Sequence, residues 1–220
     1  MRNCFLAAGL SFGALICIPF IHAGEVVDRI VATVNGRAIL LSDLEEDLAY
    51  RCLLQQSSCK VLSEADMRNA LSQLVDRELI SSQIRLSRFD RSSPQAVEAK
   101  VRELRAQLLP GNSEDSEAWH RLLARHGLTE KSISSHVALE MDVARFTDIR
   151  FRSSVHIDPA EIESYYRETL LPRLQAAHEK PPELASVAAQ IQEILIQQAI
   201  NRELASWLDG LHEQGSVELR

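Results

Sequence analysis

The dipeptide Asn35-Gly36 stands between two apolar runs, Ile30–Val34 and Arg37–Leu41. Both central residues of a type I′ turn need positive φ, which Asn and Gly adopt most readily. The spacing therefore predicts a β-hairpin with a two-residue loop. Such a loop sets Val34 opposite Arg37, Ala32 opposite Ile39 and Ile30 opposite Leu41, and places Ile30, Ala32, Ile39 and Leu41 on one face. Ser42-Asp43-Leu44-Glu45 follows at once and reads as a capping box opening a helix. A lone hairpin is marginal in water and needs a third strand or a helical bed. The far end of the chain offers both: a long amphipathic run, then Gly215 and the alternating Ser216-Val217-Glu218-Leu219. The two ends are expected to pair in a small antiparallel sheet. Helices fill the space between, giving a mainly α multi-helix core closed by that sheet.

With 220 residues and 45% apolar content, the chain is long enough for one domain, or a domain with an appendage. Leu, Ala, Glu, Arg and Gln abound while Gly and Pro are few, which favours helix. A net charge of -7 without any basic stripe removes the electrostatic basis for a nucleic-acid partner. The start of the chain has an export pattern: charged Arg2, the apolar Cys4–Ile21, and small Ala23 as a cleavage point. The alternative is an uncleaved anchor, against which Gly9, Gly13 and Pro19 argue. Cleavage takes away Arg2 and leaves 23 basic against 31 acidic side chains, a net of -8. No later stretch is apolar enough to span a bilayer, so the mature protein is expected in a soluble, extracytoplasmic form.

Helical periodicity accounts for most of the remainder. A first helix is expected from Ser42 to about Gln55, with Leu44, Leu48 and Cys52 on one face. A second starts at Ser63 and turns Met67, Leu71, Leu74, Leu79 and Ile84 inward. Ser93-Pro94 opens a third, carrying Val97, Val101, Leu104 and Leu108 as far as Pro110-Gly111. A short helix spans Glu117–His126 with Gly127 as its cap. A long one begins at Thr129 and packs Ile133, Val137, Met141, Ala144 and Phe151. Asp158-Pro159 starts a helix to about Leu171, and Pro172 and Pro181-Pro182 bracket a hinge or linker. The longest periodic run, Leu184 to Leu211, presents Val187, Ile191, Ile194, Leu195, Gln198, Leu204, Leu208 and Leu211.

Reactive chemistry is thinly represented. The seven histidines include no H-x-x-x-H pair, so no metal site is expected. Acidic clusters sit at helix starts, where the helix dipole accounts for them. Neither a G-x-S-x-G elbow nor a glycine-rich phosphate loop occurs, so no catalytic residue and no cofactor is assigned. Cys52 and Cys59 are the cysteines left after cleavage. Within one straight helix they would stand about 10 Å apart, too far to bridge, so a disulfide requires the helix to end before Cys59. Two free thiols are the alternative. Trp119, Met141, Tyr165, Tyr166 and Trp207 are candidates for lining a groove that binds extended apolar peptides, or are ordinary core.

Three stretches carry a resemblance. Val26–Leu44, with its Val-Asn-Gly turn, resembles the opening of SurA-type periplasmic chaperones. Ile157–Tyr166 resembles the helix that precedes the parvulin peptidyl-prolyl isomerase domain in that family, and Ile191–Leu219 the helix and strand that follow it. Only 24 residues, Arg167 to Gln190, separate the last two, too few for a parvulin domain. The resemblance thus implies a chaperone core without isomerase activity. Its segments are a signal peptide (1–23), a core (24–171), a proline-bounded linker (172–183) and a returning helix and strand (184–220). It implies an ATP-independent periplasmic holdase whose partners are unfolded polypeptides, especially outer-membrane proteins. A non-catalytic interaction subunit that binds one folded partner is the alternative. A homodimer is compatible with both.

Overall fold

A computed structural model describes residues 28–57 and 63–220; the expected leader and Cys59 lie outside them. In chain order the elements are β1 (Ile30–Val34), β2 (Arg37–Leu40), α1 (Leu41–Leu54), α2 (Glu64–Leu86), α3 (Pro94–Leu108), α4 (Ser116–Arg125) and α5 (Glu130–Phe151). There follow α6 (Pro159–Tyr165), a π turn (Tyr166–Leu170), α7 (Leu171–Ala176), α8 (Leu184–Gln214) and β3 (Val217–Leu219).

The sheet joins the two ends of the described chain. Its order is β2-β1-β3, both pairings antiparallel. Asn35 and Gly36 take φ of 49° and 81°, the positive pair that a type I′ turn demands. On the other edge of β1, Ala32 faces Leu219 and Val34 faces Val217. The seam is fastened beyond the strands, since Asn35 N–H donates to the Ser216 carbonyl at 2.9 Å and Arg220 N–H to that of Val31 at 3.0 Å.

The hairpin register departs from the simple alternation. Val34 pairs with Arg37 and Ala32 with Ile39, but Ile30 faces Leu40 rather than Leu41. Val31 is an extra residue on β1 at this point, a β-bulge that bends and twists the strand. Val31, Ala32 and Val34 are consequently all buried, although a flat strand would send two neighbours to opposite faces. Leu41 is released from the strand and begins α1. The cap shifts with it: Leu40 N–H donates to Asp43 Oδ2 at 2.9 Å, whereas the Ser42 hydroxyl donates to Asp28. Ser42 is therefore not the N-cap.

Two clusters hold most of the core. Leu53, Trp119, Leu123 and Ile133, each at most 1% exposed, join α1, α4 and α5, with Val97 of α3 packed beside them. Val31, Ala32, Val34 and Ile39 of the sheet meet Val75 and Leu79 of α2 and Leu211 of α8. Fully burying a side chain of this size contributes about 1.5–3 kcal/mol. Leu44, Leu48 and Cys52 share the buried face of α1, as their spacing predicts.

Two helix faces differ from expectation. Met67 is exposed, because Ala70 and Leu71, one turn further along α2, make the contacts with Leu44 and Leu48. On α8, Ile194 and Gln198 are exposed while Ile191, Ile200 and Leu211 are buried. This helix of 31 residues, about 47 Å long, touches α6, α5 and α2 in turn, so its buried stripe is not continuous. Helix also continues past Leu171 to Ala176, through Pro172. The π turn makes this feasible: Leu171 N–H donates to the Tyr166 carbonyl, and the widened backbone precedes a proline that offers no N–H.

Candidate functional site

One recess, about 710 Å³, is a groove between α3 and α5. Ser93 starts α3 by accepting from Ala96 N–H at 3.2 Å, and Pro94 presets the first turn. Thr129 and Ser132 form a reciprocal cap that starts α5. Val97, Val101 and Ala138 supply apolar walls, with Trp119 of α4 as floor. The rim is charged on both sides: Glu98 and Arg102 form an ion pair at 2.8 Å on α3, and Glu130 and Lys131 lie on α5. Arg105 closes one end and Ser92 the other.

A smaller recess of about 210 Å³ lies where the hairpin meets α1, α2 and α5, lined by Ile39, Glu46, Arg77 and His136 among others. The His136 ring stacks on Tyr50 at 4.5 Å and 9°, and its Nε2 is 3.2 Å from Glu46 Oε1. Tyr50 donates to Glu140 Oε2 at 3.1 Å. Burial, reinforced by the Glu140 carboxylate, pushes the phenol well above its ordinary pKa. Beneath them Asp47, 0% exposed, accepts from Arg51 Nε and Arg77 Nη1, each at 2.6 Å, and ties α1 to α2.

A third feature is exposed. Leu86 is 82% and Ile149 65% solvent-accessible. Arg88, Arg145 and Arg150 surround a recess of about 550 Å³ that Phe89, Phe146 and Ile149 also line. The arginines lie over aromatic faces: Arg145 is 5.3 Å from the Phe89 centroid and Arg150 4.6 Å from that of Trp207.

The five aromatic and methionine candidates do not converge. Trp119 is 1% exposed, and Met141 packs against the same cluster. Trp207 is half-buried on α8, 6.1 Å from Phe146 and 5.7 Å from Phe151 between ring centroids. Tyr165 and Tyr166 are half-buried at the junction of α6 and the π turn, and Tyr166 Oη donates to the Pro182 carbonyl at 2.6 Å. Cys52 is buried on α1, and its candidate partner Cys59 falls outside the described residues. Sequence reasoning missed Arg105 and Ser92. The signal for Arg105 was present: Val97, Val101 and Arg105 recur every four residues, which puts an arginine on an apolar stripe.

Among the described residues, no three His, Cys, Asp or Glu side chains are grouped to hold a metal ion, and no helix is long and apolar enough to cross a membrane. The grooves offer apolar walls with a few polar groups, an arrangement suited to binding. No family model matches the chain. Its sequence is 26% identical over 165 residues to Chaperone SurA of Alcanivorax borkumensis. That alignment covers 74% of this chain and 37% of the relative, so the match spans little more than a third of the relative's length. The chain is thus distantly similar, over most of its own length, to a SurA chaperone.

Proposed function

We propose that this protein is an ATP-independent chaperone that holds unfolded secreted or outer-membrane polypeptides in the periplasm, without isomerase activity. The observation that carries the reading is the similarity to Chaperone SurA over 165 residues, on a fold whose first and last strands share one sheet. The α3–α5 groove suits the task physically. Its apolar walls shield an exposed side chain weakly and reversibly, and the net acidic surface keeps the protein soluble. Residues 167–190 form the end of one helical rod, a loop and the start of α8, which supports a core that lacks an inserted catalytic domain at that point. Cleavage of the leader near Ala23, a Cys52–Cys59 bridge and a hinge around 172–183 belong to the same reading. Light scattering of an unfolded outer-membrane protein diluted from urea tests it. The full mature chain is expected to suppress aggregation without nucleotide while leaving proline-peptide isomerisation at background. Unchanged scattering across several such clients would refute it.

A second reading, an interaction subunit for one folded partner, draws support from exposed Leu86, two residues before Arg88 in the chain, and from exposed Ile149, which lines a recess with Arg88, Arg145 and Arg150, a surface of the kind that partners cover. Recovery of one stoichiometric partner, together with loss of its binding in Leu86→Glu and Ile149→Glu variants, would select it.

A further inference from the structure

Helix α2 ends at Leu86, and the segment 87–90 that follows lies beside the second half of α5. The recess of about 550 Å³ between them is lined by Arg88, Arg145 and Arg150, all three exposed. Their neighbours in the chain hold acids: Arg85 pairs with Glu78 at 2.6 Å, Arg91 lies 3.7 Å from Asp142, and Arg152 pairs with Asp148 at 2.7 Å. The three at the recess have no such partner among the described residues. Arg145 sits instead over the Phe89 ring and Arg150 over that of Trp207. An aromatic ring steadies a cation without neutralising it, so each guanidinium keeps its charge and its N–H donors for an anion.

Helix ends explain only part of this set. The negative ends of α2 and α5 favour Arg88 and Arg150, but Arg145 lies more than a turn before Phe151, where that field has faded. Against the three arginines the lining has one acid, Asp90. The recess is thus locally positive on a chain whose net charge is -7, which favours an anionic ligand there.

The remaining lining narrows the choice. Phe89, Phe146 and Ile149 are apolar, and Ile149 is 65% exposed. A second recess of about 450 Å³ shares Arg145 and Ile149 with the first and reaches Gln197 of α8. Two hollows with a common wall suit successive side chains of one elongated ligand. A small anion would leave the apolar walls uncovered, and a flat bilayer would enter neither hollow. We propose that this surface docks a segment of a partner polypeptide that carries both acidic and large apolar side chains, its carboxylates meeting Arg88, Arg145 and Arg150 and its apolar groups covering Phe89 and Ile149. The inference rests on the second reading above, that of a partner-binding surface, and names the chemistry of the partner.

Fluorescence anisotropy on the full mature chain tests it with two labelled, capped peptides. One carries Glu, Leu and Phe in a Ser/Gly background; the other has Gln in place of each Glu. Vesicles of phosphatidylglycerol and phosphatidylcholine, read by co-sedimentation, are the third probe. The wild type is expected to bind the Glu peptide about tenfold more tightly than the Gln peptide, the scale of three exposed ion pairs together. That preference should shrink as salt is raised. It should fall below about twofold in the double variant Arg88→Gln/Arg145→Gln and persist in Arg125→Gln/Arg173→Gln, which removes the same charge from residues outside the recess. Equal binding of the two peptides by the wild type would overturn the inference, and so would equal loss of preference in both double variants. Binding to the vesicles alone, or to no probe, would overturn it too. The partner-binding reading is decided separately, by recovery of a partner whose binding Leu86→Glu and Ile149→Glu abolish, so either can fail without the other.

Discussion

Replacing Asp47 by Asn is expected to be the most damaging polar substitution in this protein. The side chain of Asp47 is 0% exposed, and it faces Arg51 Nε and Arg77 Nη1 at 2.6 Å, with both guanidinium groups mostly covered at 25% and 21% exposure. Arg51 also donates to Gln73 of α2, so the carboxylate is the centre of the α1–α2 contact. An amide of the same shape accepts from one arginine but turns an N–H donor toward the other. Two largely buried cations then lose their counter-charge. Breaking a buried pair in this way costs about 3–5 kcal/mol, a large part of a typical total stability of about 5–15 kcal/mol. With a urea m-value of about 2 kcal/mol/M, the unfolding midpoint should fall by about 1.5–2.5 M. Arg77→Met in the same background supplies the control. If the carboxylate works through its two partners, the double variant should be less destabilised than the sum of the singles, by about 1 kcal/mol or more. A loss below about 1 kcal/mol for Asp47→Asn, or strict additivity, would refute the assignment.

Further expectations concern the sheet and the helix starts. Gly36→Ala should cost about 1 kcal/mol, because φ is +81° and open space surrounds the position, so backbone strain is the sole penalty; thermal unfolding reads it. Gly215→Ala should cost more, about 2 kcal/mol, since an added Cβ would stand 2.8 Å from the Leu211 carbonyl oxygen and 3.2 Å from Leu79 Cδ2, beside the bonds that seat β3; a smaller loss than for Gly36→Ala would contradict this. The N–H of Ala118 holds the Asp115 carboxyl below the usual aspartate range, and the Ser63 hydroxyl and N–H do the same for Asp66. Lowered folded values mean that the caps stabilise above the unfolded pKa, so their contribution should fade as pH falls from roughly 4 through the folded values. Carbon-detected carboxyl titration should show both groups titrating below a free aspartate, and coincidence with it would refute the capping assignment.

Where the local chain decides the outcome, reading residues in order was enough. Asn35-Gly36 made the hairpin legible because the turn's backbone angles suit those two residues, and Ser93-Pro94 and Ser63 marked helix starts through capping chemistry that acts over three or four residues. The pairing of β3 with β1 was legible too, since a hairpin left alone must find a third strand and the tail carried an alternating one. The Val31 bulge was not, because one extra strand residue leaves the pattern of apolar letters unchanged, and only the tertiary structure shows Val31, Ala32 and Val34 all reaching the core shared with α2 and α8. Nor was the exposure of Met67 and Ile194, since periodicity names a helix's apolar face but not how far its neighbours extend along it. The candidate site divides the same way. That Trp119 and Met141 belong to one cluster, with Trp207 and the two tyrosines elsewhere, depends on which helices meet. An arginine on the apolar stripe of α3 could be read from spacing alone. That its Nε and Nη2 are shielded from solvent without an acceptor among the described residues is decided by the packing around α3, because whether a donor is satisfied depends on atoms brought there by distant parts of the chain.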